Sequence, residues 1–307
     1  MRLHSGRLRG VRVLVTGARG FVGAHLLPRL SSLGHAVIAV DREVEIGDAR
    51  AVAATVSGCA PEGIIHLAGV SSVAASRDHP GATWRANYVG ARNLLEAVRQ
   101  HAPACHVLLI GSGEIYGLAE PGAAPFDETS PLRPRSPYAA TKASADQLGG
   151  AYARLGLRVA RLRPFNHTGP GQREIFAAGS FTRQAAEISQ GLREPVLHVG
   201  NLESTRDFLD VEDVVRAYLA VLESGAQGIF NVSSGTGRRI GELLDSLLRV
   251  AGVEAEIVVD PARVRPTDFS VGNSDRLRAA TGWRPEIAFE ETLARMFRHA
   301  AAELKPA

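Results

Sequence analysis

Cysteine is nearly missing from this chain: there are two in 307 residues, Cys59 and Cys105, and neither has a partner at metal-ligand spacing. That excludes a disulfide framework and a cysteine-built metal site. Two thiols inside apolar or helical stretches are expected to be buried, in a reducing compartment. The histidines show no metal-binding spacing either, so no metal is expected. Nowhere do five like charges run together; the formal charge of +3 and the pI near 9.1 come from a slight Arg excess spread along the whole length. This balance suits a small anionic ligand better than nucleic acid. No stretch approaches the roughly 18 apolar residues of a membrane span, and the first ten residues lack an apolar core of signal-peptide length. A cytoplasmic protein with no membrane partner is expected. Internal repeats and low-complexity segments are also missing.

What is there is a 45% hydrophobic content, enough for one large core or two lobes. Short β-branched runs at 11–15, 36–40, 63–67, 107–110 and 157–162 alternate with longer helical patterns. Near-continuous apolar strands joined by crossovers mark a parallel sheet covered on both faces. The expected fold class is α/β, a doubly wound (Rossmann) parallel sheet with a smaller C-terminal substrate-binding lobe. After residues 163–171, Arg-Pro-Phe-Asn-His-Thr-Gly-Pro-Gly, the rhythm loosens into loops and isolated helices. Residues 1–165 are therefore expected to form the dinucleotide-binding domain and 166–307 the second lobe, with some later segments returning to the first. Two amphipathic stripes in that lobe, one from Ile240 to Leu248 and one from Phe289 to Ala300, read as core.

Gly17, Gly20 and Gly23 lie where the first strand turns into its helix. The first allows a tight turn, the second lets backbone N–H groups approach a pyrophosphate at the helix N-terminus, and the third lets helix pack on strand. Strand two ends in Asp41, 18 residues past Gly23, where a carboxylate can accept hydrogen bonds from adenine-ribose hydroxyls and repel a 2′-phosphate. This favours NAD(H) over NADP(H). Arg42 next door and Arg19 in the turn pull the other way, since guanidinium groups there could hold the extra phosphate. Asp48 either reaches the adenine edge or sits in a plain surface turn.

Tyr138 and Lys142 stand four apart just after Ser136 and Pro137, a good N-cap and a good first helical residue. That spacing puts both side chains on one helix face, where the ammonium is expected to lower the phenol pKa from about 10. A tyrosine so tuned can trade a proton with a substrate oxygen.

Taken in order, the strings Thr16-Gly-Ala-Arg-Gly-Phe-Val-Gly23 and His66-Leu-Ala-Gly69, Asn87 ahead of residues 90–97, and Tyr138-x-x-x-Lys142 make the chain resemble the extended short-chain dehydrogenase/reductases over nearly its full length. Within them, residues 163–172, 199–211 and Arg265-Pro-Thr-Asp268 look like the GDP-4-keto-6-deoxy-D-mannose reductases, with the GDP-mannose 4,6-dehydratases as the nearest relatives. In the dehydratases an acidic residue follows the Asn-His pair and arginines replace the Thr-Gly-Pro-Gly-Gln stretch, so the segment after Asn166-His167 favours the reductase. One departure from the family pattern is the serine-rich strand end, thinned here to Gly111-Ser-Gly-Glu-Ile-Tyr-Gly117.

The resemblance implies NAD(P)H-dependent reduction of a 4-keto sugar in deoxysugar synthesis, with Tyr138, Ser112 and Lys142 as its centre. Tyr138 would protonate the emerging alkoxide, Ser112 would steady it, and Lys142 would stabilise the phenolate and bind the nicotinamide ribose. Dehydration or epimerisation on the same scaffold is the alternative, because the dehydratases use a glutamate at the Glu114 position as a base; a carboxylate bonded to a backbone amide is the structural alternative. A non-catalytic NAD(P)-sensing protein belongs to another class, against which the intact centre argues. Phe21, Val22, Leu67, Ala68, Gly69, Asn87 and Pro164 are implied on the cofactor, and Asn166, Asn201, Arg206 and Arg265 on a nucleotide sugar, guanidinium being suited to its phosphates. His167 is either a sugar contact or a loop histidine satisfied by backbone. A homodimer through helices near 84–101 and 137–154 is the family expectation.

Overall fold

The computed structural model describes residues 10–120, 122–261 and 268–304. The first half alternates as the sequence predicts: β1 (Arg12–Thr16), α1 (Phe21–Ser32), β2 (Ala36–Val40), α2 (Ala49–Cys59), β3 (Gly63–His66), α3 (Val73–Asp78), α4 (Pro80–Trp84), α5 (Gly90–His101), β4 (His106–Ile110), α6 (Pro137–Arg154) and β5 (Arg158–Pro164). A short π-helical segment, Arg85–Val89, joins α4 to α5, and a 3₁₀ turn, Gly113–Tyr116, follows β4. Next come β6 (Asn166–Thr168), α7 (Ala177–Ser189), β7 (Val196–Val199), β8 (Thr205–Asp210), α8 (Val211–Ser224) and β9 (Gly228–Val232). The chain ends with β10 (Gly237–Arg239), α9 (Ile240–Ala251), β11 (Glu256–Val259), β12 (Phe269–Ser270), α10 (Asp275–Thr281) and α11 (Phe289–Glu303).

Six strands in the order β2-β1-β3-β4-β5-β9 form one parallel sheet. Successive residues of a strand face opposite sides, so Val13 and Val15 join one core and Leu14 the other. The first core takes α1 and α8, with Leu26, Val214 and Tyr218; the second takes α2, α5 and α6, with Val52, Leu95 and Ala145. Both faces are therefore covered, which is why these strands read as unbroken apolar runs. After residue 165 the chain crosses back, since α8 covers the sheet and β9 extends its edge.

A second lobe is built on β8, which pairs with β6, β10 and β12, and on a third core of α7, α9 and α11. Leu243, Leu244, Leu247, Phe289, Leu293 and Met296 fill it, so both expected stripes are core. Cys105 is buried, while Cys59 at the end of α2 keeps part of its surface exposed. No helix among the described residues is long and apolar enough to cross a membrane.

Candidate active site

A cleft of ≈ 2020 Å³ lies between the C-terminal ends of β1 to β5 and the second lobe. Its floor begins at the glycine turn. Gly17 has φ +71°, and a Cβ there would lie 2.7 Å from Ala68 N; one on Gly23 would lie 2.2 Å from Ala18 O. A side chain at Gly17 would force the turn off the loop after β3, and one at Gly23 would force α1 off the turn itself. Gly20 caps α1 without a side-chain hydrogen bond, so the first-turn N–H groups are left to the cleft. These features fit a dinucleotide pyrophosphate. Arg19, Phe21 and Val22 line the same wall, as do Leu67, Ala68 and Gly69 after β3 and Pro164 after β5. Thr16 Oγ1, 2.7 Å from His66 Nδ1 and accepting from Ala68 N at 3.3 Å, ties the ends of β1 and β3 together.

Asp41, at the end of β2, lines the cleft with both oxygens engaged: Oδ2 accepts from Arg19 N at 2.8 Å and Oδ1 from Arg42 N at 3.0 Å. The Arg19 guanidinium pairs with Glu43 at 3.3 Å, and Arg42 lines the rim.

The candidate catalytic residues come from the end of β4 and from α6. Ser136 caps α6 through Ala139 N at 3.1 Å, and Tyr138 N donates to Ser76 Oγ of α3 at 3.1 Å, fixing the first turn. Lys142 Nζ donates to Ile110 O at 2.9 Å, which brings α6 onto the end of β4. The Ser112 hydroxyl accepts from Glu114 N at 3.2 Å, capping the 3₁₀ turn, and lies near enough to the Tyr138 phenol to lower its pKa. Ser112, Tyr138 and Lys142 are all buried, and all line the cleft.

Burial reverses the expected tuning of the phenol. It pushes Tyr138 up to about 12, against a lowering contribution from Ser112, and pushes Lys142 down to about 8. The wall disfavours both charged forms more than the pair favours either. His66 behind them is held neutral, down to about 3, by burial and by the Lys142 charge.

Glu114 projects into the cleft with part of its surface accessible, and its carboxylate makes no hydrogen bond among the described residues. The backbone-amide alternative is therefore not what the chain adopts. Burial raises its pKa, with Arg206 lowering it and Asp268 raising it. Arg206 on β8 is held by Asp268 through two short hydrogen bonds, Nη1 to Oδ1 and Nη2 to Oδ2 at 2.7 Å. Its sequence neighbour Asp207 turns inward and accepts from Ser234 N, Gly235 N and Gly272 N.

Two expected cofactor contacts stand off the cleft. Asp48 is the N-cap of α2, its Oδ1 accepting from Arg50 N at 2.8 Å. Asn87, in the π segment, accepts from Val70 N at 2.8 Å and donates to Thr141 Oγ1 at 2.9 Å; it is saturated by the chain and braces the loop behind Gly69. Asn166 and Asn201 line the cleft, with Asn201 Oδ1 also accepting from Glu203 N at 2.8 Å. Arg265 lies outside the described residues. His167 is satisfied by backbone, Nδ1 lying 3.0 Å from Phe165 O, and stacks on Phe21. Tyr116 is packed inside, bonding Asn231 and Arg163. Two cleft residues escaped sequence reasoning: Asp268, whose partner lies 62 residues away, and Tyr218, which sits in a helix apolar on most of its surface. Among the described residues no cluster of His, Cys, Asp and Glu could hold a metal ion.

Comparison with known proteins places this geometry. The chain is 38% identical to a GDP-6-deoxy-D-mannose reductase from Pseudomonas aeruginosa, over 92% of this chain and 94% of that one. It superposes on the solved structure of RMD from Pseudomonas aeruginosa complexed with NADPH with a TM-score of 0.89 and 36% identity, covering 96% of this chain and 100% of that one. A Thermus thermophilus UDP-glucose 4-epimerase complexed with NAD superposes with a TM-score of 0.85 and 31% identity, covering 94% and 98%. The sequence model for GDP-mannose 4,6 dehydratase matches residues 42–296, and with it the chain belongs to the GDP-mannose 4,6-dehydratase family of nucleotide-sugar enzymes with a doubly wound dinucleotide fold.

Proposed function

We propose that this chain uses NAD(P)H to reduce the 4-keto group of a GDP-4-keto-6-deoxy-hexose, a step of deoxysugar synthesis. The observation that carries the reading is that buried Tyr138, Ser112 and Lys142 line one cleft with the glycine turn, in a chain 38% identical to a GDP-6-deoxy-D-mannose reductase. The ketone oxygen sits between the two hydroxyls. Tyr138, held protonated by its burial, enters as the acid and gives its proton to the oxygen as charge develops there. Ser112 holds that oxygen by a hydrogen bond. Lys142 spends one of its three donors on Ile110 O, leaving two for the phenolate and a ribose hydroxyl. When bound, the reduced nicotinamide supplies the hydride that reaches C4.

The pyrophosphate is held by backbone at Gly17, Gly20, Phe21, Val22 and Gly23, and the adenine ribose by Asp41. Leu67, Ala68, Gly69 and Pro164 wall the dinucleotide, while Asn166, Asn201 and Arg206, with Arg265, take the nucleotide sugar. NADH is preferred, because Asp41 sits at the ribose position and Glu43 already engages the Arg19 guanidinium. The NADPH complex of the Pseudomonas relative argues the other way, so the kcat/KM ratio for NADH against NADPH decides it.

Glu114 favours a second reading, dehydration of GDP-mannose, since its carboxylate is unbonded in the cleft. Reduction consumes NAD(P)H stoichiometrically, whereas dehydration recycles a held cofactor. Incubation with the keto sugar plus NADH, and separately with GDP-mannose alone, distinguishes them. Tyr138→Phe should lower turnover about 100-fold or more while leaving cofactor affinity unchanged; an active Phe variant would overturn the assignment. We further infer a cytoplasmic homodimer through α5 and α6, near which Trp84 is left 39% exposed; light scattering that gives a monomer mass would refute it.

A further inference from the structure

Three tyrosines are buried around the reaction centre, and their hydroxyls have different fates. Tyr116 donates to Asn231 Oδ1 at 2.7 Å and accepts from Arg163 Nη1 at 2.8 Å. Tyr138 lines the cleft beside Ser112, which lowers its pKa. The Tyr218 hydroxyl has no hydrogen-bond partner among the described residues, although the side chain is wholly buried. A buried hydroxyl left unbonded is destabilising, and a phenylalanine would fill the same space without that penalty.

Tyr218 belongs to α8, on the sheet face opposite α6, and lines the cleft together with Ile110, Gly111, Pro164 and Phe21. It packs in the core against the β4–β5 side of the sheet, and its unpartnered hydroxyl belongs to a residue of the same cleft wall that holds Tyr138. The edge where β4 and β5 end is thus reached by Tyr138 from one face of the sheet and by Tyr218 from the other.

We propose that the Tyr218 hydroxyl is the hydrogen-bond partner of the nicotinamide carboxamide, the one polar group of that base, and so orients its ring at the Tyr138 edge. This rests on the cleft being an NAD(P) site. Tyr218 is a positioning residue, and its test is binding. Calorimetric titration of wild type and Tyr218→Phe with NADH, NADPH and ADP-ribose, which lacks the nicotinamide, separates the possibilities. Tyr218→Phe should bind the preferred dinucleotide roughly three- to tenfold more weakly, with ADP-ribose affinity unchanged. The free variant should unfold at the same temperature as wild type or higher, because an unbonded hydroxyl has been removed. Unchanged dinucleotide affinity, or an equal loss for ADP-ribose, would overturn the proposal. A wild-type protein that binds neither dinucleotide would overturn the cofactor reading beneath it.

Discussion

Tyr138 and Lys142 share one wall of α6 with less than a tenth of either residue exposed, and such a wall penalises phenolate and ammonium alike. Lys142, pushed from 10.5 down to about 8, loses its charge as the pH rises through about 8, whereas Tyr138 at about 12 stays protonated across that range. Reduction should therefore hold level below pH 8 and fall above it, and Lys142→Met should flatten the kcat/KM profile at a lower rate. Stability runs the other way. An unfolded lysine keeps its proton to 10.5, so the folded state bears a buried charge below about 8 and is relieved of it as the pH rises from 8 to 10.5. Urea melts across that interval should show the wild type gaining stability relative to Lys142→Met. Glu114→Gln should leave reduction within about threefold and remove any dehydration of GDP-mannose, because an amide cannot abstract a proton. At this scale the sequence exposes what depends on local spacing: the i,i+4 pair, the glycine turn and the Ser136 cap all stand where the spacing puts them. Asp48 and Asn87 are bonded within the chain in ways that sequence spacing does not show, because a polar side chain takes whatever donor the fold brings near. For Asp48 that donor is a helix N-terminus, and for Asn87 it is a loop 17 residues away.

One turn beyond Lys142, the same helix is anchored to β5. Arg163 bonds both Asp146 oxygens, Nε to Oδ1 at 3.0 Å and Nη2 to Oδ2 at 2.7 Å, and Arg161 shares Oδ2 at 3.1 Å. Asp146 and Arg163 are almost wholly buried, so removing the acid strands guanidinium charge in a low-dielectric site. Asp146→Ala should lose about 3–5 kcal/mol in urea unfolding. It should also lower kcat, because the reacting phenol and its lysine ride on the element that this pair fixes. None of this is visible in the sequence, where Arg163 reads only as the first letter of a loop string. The first five strands are legible to within about two residues, since apolar runs buried on both faces leave little freedom, whereas β9, the sixth of that sheet, is not. Nor is helix α8. Its buried positions include Val211, Val214, Val215, Tyr218, Leu219, Val221 and Leu222, so it lacks the polar face that would mark a stripe.

The cleft joins both lobes: the parallel sheet supplies the glycine turn, Ser112, Glu114 and Tyr138, and β8 of the second lobe supplies Arg206. At ≈ 2020 Å³ it is about twice the upper range of a single small-ligand pocket, room for a dinucleotide and a nucleotide sugar together. The change of rhythm after residue 171 marks where the chain leaves the regular alternation, but which later residues face the parallel sheet depends on pairings such as Arg206 with Asp268, far apart in the chain. That pairing bears on substrate affinity. Asp268 orients the guanidinium, and an oriented fork loses less freedom on meeting a diphosphate than a free one would. Arg206→Lys keeps the charge but gives up the fork, and it should raise the KM for the nucleotide sugar roughly tenfold, with cofactor affinity unchanged. Asp268→Asn should act in the same direction and more weakly, since it keeps the shape of the brace and loses its charge. Steady-state kinetics with the sugar varied, beside titration with NADH, checks both. Equal losses on the two ligands would mean that Arg206 holds the lobes together rather than the substrate.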